Sequence, residues 1–118
     1  MGSSGWRRGL GLIACIALAS SSAPAQPAPP DAHTARLFQL VCAQCHARPG
    51  IGVPQVGDAA AWRERTAQGE ERLLERTVAG FGGMPPLGSC SFCSEHELRE
   101  LIALLAGLPR AARVDPEP

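Results

Sequence analysis

Four of the five cysteines fall into two C-x-x-C pairs, Cys42/Cys45 and Cys90/Cys93, and His46 follows the first pair directly. No other feature narrows the possible folds as much. Two thiols three residues apart on a helical turn can act on one partner together. A bare pair is a redox dithiol, a disulfide or half of a zinc site. A four-thiolate zinc ribbon built from both pairs would have to bridge the 44 residues between Cys45 and Cys90. That pattern usually spans roughly 15–20.

The histidine adds a further reading of the first pair. Thiols at Cys42 and Cys45 can reach the two vinyl groups on one edge of a porphyrin, and His46 then lies under the iron and supplies an axial nitrogen. Cys-x-x-Cys-His is the attachment pattern of c-type haem. The expected cofactor is one covalently bound haem c. Met84 supplies a candidate for the opposite axial position. It is the only methionine besides Met1, and it lies in a Gly/Pro loop, not on an apolar helical face. A thioether on a loop stiffened by Pro85 and Pro86 suits the sixth coordination site, and His/Met ligation raises the reduction potential.

The N-terminus is an address. Arg7 and Arg8 precede a run of small and apolar residues from Leu10 to Ala19, and Ala23-Pro24-Ala25 is a small-x-small cleavage site. The pattern predicts a secretory signal peptide over residues 1–25 and a periplasmic protein. The run is shorter than the ~20 residues needed to span a bilayer. A retained segment, or a lipoprotein box at Leu12-Ile13-Ala14-Cys15, would be the routes to membrane association. An exported chain meets conditions in which disulfides persist.

Composition removes several classes. Eleven basic residues balance eleven acidic ones, which gives no basic field for nucleic acid. Aromatics are 4% of the chain, with no Tyr, so base-stacking platforms are scarce. Every basic side chain is Arg, which excludes lysine chemistry.

After a Pro/Ala-rich leader over 26–32, the pattern turns helical from His33 to His46, with Leu37, Leu40 and Val41 on one face and Phe38 beside them. Pro49 and Gly50 end that segment. Asp58 is the expected N-cap of a helix over 59–68 that carries Trp62. A second short helix covers 70–79, with Leu73, Leu74 and Val78 facing inward. Residues 80–93 form a loop. Ser94-Glu95-His96-Glu97 is a capping box that opens the last helix, whose Leu98, Leu101, Ile102, Leu105 and Leu108 follow the 3.6 period until Gly107 and Pro109. The expectation is all-α: one small domain over 33–110, about four short helices around one haem, then a flexible tail over 111–118. His33 and His96 are expected at exposed helix starts. Arg48, Arg63, Arg65 and Arg72 alternate with acids and are expected on a solvated face.

Taken together, Cys42-x-x-Cys45-His46, Gly57-Asp58-x-x-x-Trp62, Gly83-Met84-Pro85-Pro86 and Cys90-x-x-Cys93-Ser94 resemble cytochrome c5, a class I c-type cytochrome, over residues 33–106. The resemblance implies a disulfide between Cys90 and Cys93 that caps the last helix and stiffens the Met84 loop. It implies that the Pro54 carbonyl accepts a hydrogen bond from His46, and that Trp62 packs near the haem. The chain departs from the family pattern at Leu104, where an aromatic is usual, and in the Arg48-Pro49-Gly50-Ile51 loop. The implied function is single-electron transfer without catalysis, to redox protein partners through the exposed haem edge. The alternative is a haem-bearing subunit or a gas-binding haem protein with a displaceable Met84.

Overall fold

The computed structural model describes residues 1–2 and 28–110. Apart from Met1 and Gly2, the expected signal peptide lies outside the described residues, as do the start of the leader and the expected tail over 111–118. Among the described residues no helix is long and apolar enough to cross a membrane. The described residues hold five α-helices: α1 (Ala32–Leu40), α2 (Ala43–His46), α3 (Ala59–Thr66), α4 (Glu70–Ala79) and α5 (Glu95–Ala106). A 3-10 turn, Pro86–Ser89, precedes α5. The only β pairing among the described residues is an isolated bridge between Phe81 and Met84.

The expected helix over 33–46 is two helices. Asp31, at the end of the expected leader, caps α1 by accepting the amides of His33 and Thr34 at 2.9 and 3.1 Å. The α1 ladder ends where Val41 N–H bonds to Leu37 O, and the Cys42 carbonyl then starts α2 by accepting from Cys45 and His46. Gln44 Nε2 donates to Gln39 O at 2.9 Å and so occupies a carbonyl near the break. Within α1, Leu37 and Phe38 are buried while Leu40, in the last turn before the break, is 60% exposed. That corrects the shared face expected for Leu37 and Leu40.

Helix α5 is the centre of the packing. Its Leu101 and Leu105 join Leu37, Phe38, Ala43 and Trp62 in one cluster, and Leu98 and Ile102 join Leu73 and Leu74 in another. Leu104 packs against the first cluster. Val78, expected inward, is 45% exposed. It lies in the last turn of α4, where the chain leaves for the Gly80 loop, and belongs to neither apolar cluster. Asp58 caps α3 as expected, through Ala61 N–H at 3.0 Å. Helix α3 ends at Thr66, short of the expected 68, where the Thr66 hydroxyl bonds back to Trp62 O.

The start of α5 is tied to two other helices. The capping box is complete: Ser94 N–H donates to Glu97 Oε2 at 2.7 Å and Glu97 N–H to Ser94 Oγ at 3.2 Å. His33 Nε2 donates to Glu97 Oε1 at 2.6 Å, which joins the first turn of α1 to the first turn of α5. Arg99 reaches Glu71 at 2.8 Å and Glu95 at 2.9 Å, which joins α4 to α5. The His33 hydrogen bond, with the Ser94 amide and hydroxyl, holds the Glu97 carboxyl down at about 2. An unfolded Glu titrates near ~4.3. The depressed group therefore stabilises the fold above that range, and the contribution is lost as pH falls through it towards 2. Acid unfolding of the haem-loaded protein should become shallower between about pH 4.5 and 2 in Glu97→Gln. Ser94→Ala should cost about 1 kcal/mol in chemical denaturation.

Candidate functional site

Helix α2 and the turn before it carry Cys42, Cys45 and His46 within one helical turn. Cys42 is half-buried, Cys45 is exposed, and both are free. Burial pushes the Cys42 thiol up to about 11. The neutral thiol is therefore favoured, which slows disulfide exchange. Cys90 and Cys93, at identical spacing, are disulfide-bonded to each other, with Cα atoms 5.4 Å apart. The two pairs thus have different fates. Two of the four sulfurs of a zinc ribbon are consumed, and no group of three or more His, Cys, Asp and Glu among the described residues could hold a metal ion.

His46 is buried, with 8% of its surface exposed. Its Nδ1–H donates to the Pro54 carbonyl at 2.6 Å. A carbonyl can only accept, so the proton sits on Nδ1 and Nε2 keeps its lone pair for a metal. Two more bonds hold the accepting loop. Val56 N–H donates to His46 O at 2.8 Å, and Trp62 Nε1–H donates to Gln55 O at 2.8 Å. The His46 and Trp62 rings lie 6.0 Å apart, tilted by 38°. Trp62 is thus both a core residue and a peg for the loop that orients His46.

Met84 is half-buried in the loop between α4 and α5. Its backbone makes paired bonds with Phe81: Phe81 N–H to Met84 O at 3.1 Å, and Met84 N–H to Phe81 O at 3.0 Å. Downstream, Gly88 N–H bonds to Pro85 O and Cys90 N–H to Leu87 O, which closes the 3-10 turn. The loop then ends at the fully buried Cys90 and its disulfide, directly before the Ser94 cap. Two glycines leave room for it. A Cβ at Gly80 would meet Met84 O at 2.9 Å and Pro86 N at 3.0 Å, and one at Gly88 would lie 3.2 Å from Met84 Cε.

This donor set suits an iron porphyrin. It offers an oriented imidazole and a thioether, borderline and soft donors and not the oxygens that hard cations take, beside two free thiols that can add to porphyrin vinyl groups. Leu40, Ile51, Val56 and Phe81 are large apolar side chains left exposed. They lie on the same stretches of chain as Cys42, Pro54 and Met84, where an apolar group would be bound.

A family model described as "Cytochrome C oxidase, cbb3-type, subunit III" matches residues 29–105. The chain is 42% identical over 69 residues to cytochrome c5 of Ectopseudomonas mendocina, spanning 57% of this chain and 79% of that protein. It is 39% identical over 69 residues to cytochrome c5 of Azotobacter vinelandii, spanning 57% and 83%. The chain belongs to the cytochrome c5 family. It is also 32% identical over 74 residues to cytochrome c-555 of Chlorobaculum tepidum, spanning 59% and 68%. A chain in a crystal structure titled as an electron transfer complex of nitrite reductase with cytochrome c superposes with a TM-score of 0.60 at 33% identity. That match covers 70% of this chain and 100% of the other.

As a cytochrome c5 family member, the protein is a monohaem electron-transfer cytochrome whose cofactor is covalent haem c. The fold brings Pro54 and Trp62 to His46, and joins Met84, Cys90 and Cys93 in one loop. His33 and His96 are exposed, as expected. Arg48, Arg63, Arg65 and Arg72 are exposed as expected. Gln44, Gly80 and Gly88 also shape the site. The glycine-rich run before Met84-Pro85-Pro86 was the available signal for Gly80. The fit at Gly80 makes a prediction. Gly80 and Gly50 have nearly equal φ, +82° and +86°, but a Cβ at Gly50 meets nothing within 4 Å. Gly80→Ala should therefore lower thermal stability more than Gly50→Ala does, since Gly50→Ala carries only the backbone strain, of order 1 kcal/mol.

Proposed function

We propose that this cytochrome is an exported, periplasmic single-electron carrier. In this reading the signal peptide is removed after Ala25, and the cytochrome domain over 33–110 works without transforming a substrate. Cys42 and Cys45 form the thioether links, and His46 and Met84 are the axial ligands. When bound, haem c supplies a ferric/ferrous couple. The chain's own residues hold that couple in one geometry. Pro54 fixes the His46 ring through Nδ1–H and makes it a stronger donor. Trp62 and Val56 hold the loop that carries the Pro54 carbonyl. Phe81 and the 3-10 turn hold Met84, and the Cys90–Cys93 disulfide anchors that turn to α5. Keeping the same ligands in both oxidation states limits reorganisation. Partner proteins dock over the exposed haem edge, in a transient interface below ~1,200 Å².

The observation that carries this reading is the 2.6 Å hydrogen bond from His46 to Pro54, which leaves Nε2 as the free nitrogen beside two unpaired thiols. A second reading, a haem-bearing subunit of a larger complex, is favoured by the family model's description as an oxidase subunit. The two readings differ in native mass, and the carrier reading expects a monomer-sized species in the periplasmic fraction. The test of the ligands is spectroscopic. The exported protein should retain its haem through denaturing electrophoresis and show sharp low-spin bands when reduced. Its ferric form should show the weak far-red band of methionine ligation, which Met84→Ala abolishes while the haem stays attached. A high-spin spectrum in the unmodified protein would mean an open iron site and a gas-binding or catalytic role.

A further inference from the structure

Arg76 lies in α4, eight residues before Met84. It is half-buried, and its Nε is buried with no hydrogen-bond partner. The acids of its own helix are engaged elsewhere: Glu70 and Glu71 with Arg99, and Glu75 with Arg72. None of the ion pairs among the described residues includes Arg76. Its guanidinium carbon sits 4.2 Å from the centroid of the Phe81 ring, a cation–π seat. Phe81 in turn is bound through both backbone groups to Met84.

We propose that Arg76 sets the reduction potential of this cytochrome: its uncompensated positive charge, seated on Phe81 at the root of the Met84 loop, favours the ferrous state. The proposal rests on the reading of Met84 as an axial ligand. One electron arrives from a redox partner protein and lowers the charge at the iron by one. A fixed cation nearby repels the ferric state more than the ferrous one. A guanidinium suits this role because it is less strongly hydrated than an ammonium and stacks on an aromatic face. Partial burial strengthens the effect, since fewer waters screen the charge.

The experiment is a redox titration of the haem-loaded full chain and three variants, with the ferric far-red band recorded for each. Arg76→Gln and Arg76→Met remove the charge, and Arg76→Met keeps most of the apolar bulk should Arg76→Gln fold poorly. Arg76→Lys keeps the charge. The expected result is that both neutral variants keep the far-red band and shift the ferric/ferrous ratio at a fixed poise by about tenfold, about 59 mV lower for one electron. Arg76→Lys should stay closer to the parent. An unchanged potential in the neutral variants would overturn the proposal. So would an Arg76→Lys potential as low as that of Arg76→Met, because packing and not charge would then be the cause. Loss of the band in both neutral variants would also overturn it, because the ligand and not the field would have changed. A parent protein that lacks the band fails the Met84 reading instead, and the same charge series still decides the role of Arg76.

Discussion

The hydrogen bond from His46 Nδ1–H to the Pro54 carbonyl is the contact on which the rest of the site depends. It fixes the tautomer of a buried imidazole and aims its other nitrogen. A single such bond between a helix and a loop would hold a ring loosely. Here the loop is tied twice more, by Val56 N–H to the His46 carbonyl and by the Trp62 indole to Gln55. Trp62 belongs to the main apolar cluster with Leu101 and Leu105 of α5. The orientation of one nitrogen is thus carried through a tryptophan to the central helix.

Helix α5 also governs the other half of the site. The Met84 loop ends on the Cys90–Cys93 disulfide, and the capping box begins at the next residue. The start of α5 is bound to α1 through His33–Glu97 and to α4 through Arg99. The proximal and distal segments are therefore referred to the same rigid element, although 37 residues separate His46 from Met84. That suits electron transfer, in which the best scaffold is one that moves least between oxidation states. It also explains how a small chain with a thin core can hold a precise site. The apolar surface left open at Leu40, Ile51, Val56 and Phe81 sits on the segments that carry the site, and a bound porphyrin would supply core that the side chains do not.

Much of this was legible in the sequence because the signals were local. Cys42-x-x-Cys45-His46, the Asp58 cap, the Ser94–Glu97 box and the period of Leu98, Leu101, Ile102 and Leu105 each lie within a turn or along one helix. What escaped depended on tertiary contacts. Neither the break at Val41–Cys42 nor the exposure of Leu40 shows in the hydrophobic period. Val78 follows the period but lies in the last turn of α4, outside both apolar clusters. His33 meets Glu97 across 64 positions, and Arg76 finds Phe81 because the chain turns back after Gly80. The Asp31 cap was masked by the proline-rich leader that it ends. Cys42/Cys45 and Cys90/Cys93 have the same spacing, so their different fates came from the histidine and from resemblance, not from geometry.

The central claim is that His46 and Met84 close the two axial positions of one covalently held iron. X-ray absorption at the iron edge of the ferric protein tests it most directly, because it reads the first coordination shell without perturbing the chain. The account predicts five nitrogens and one sulfur around the iron, four of the nitrogens from the porphyrin and one from His46. A shell of nitrogen and oxygen scatterers without sulfur, or a five-coordinate iron, would contradict it.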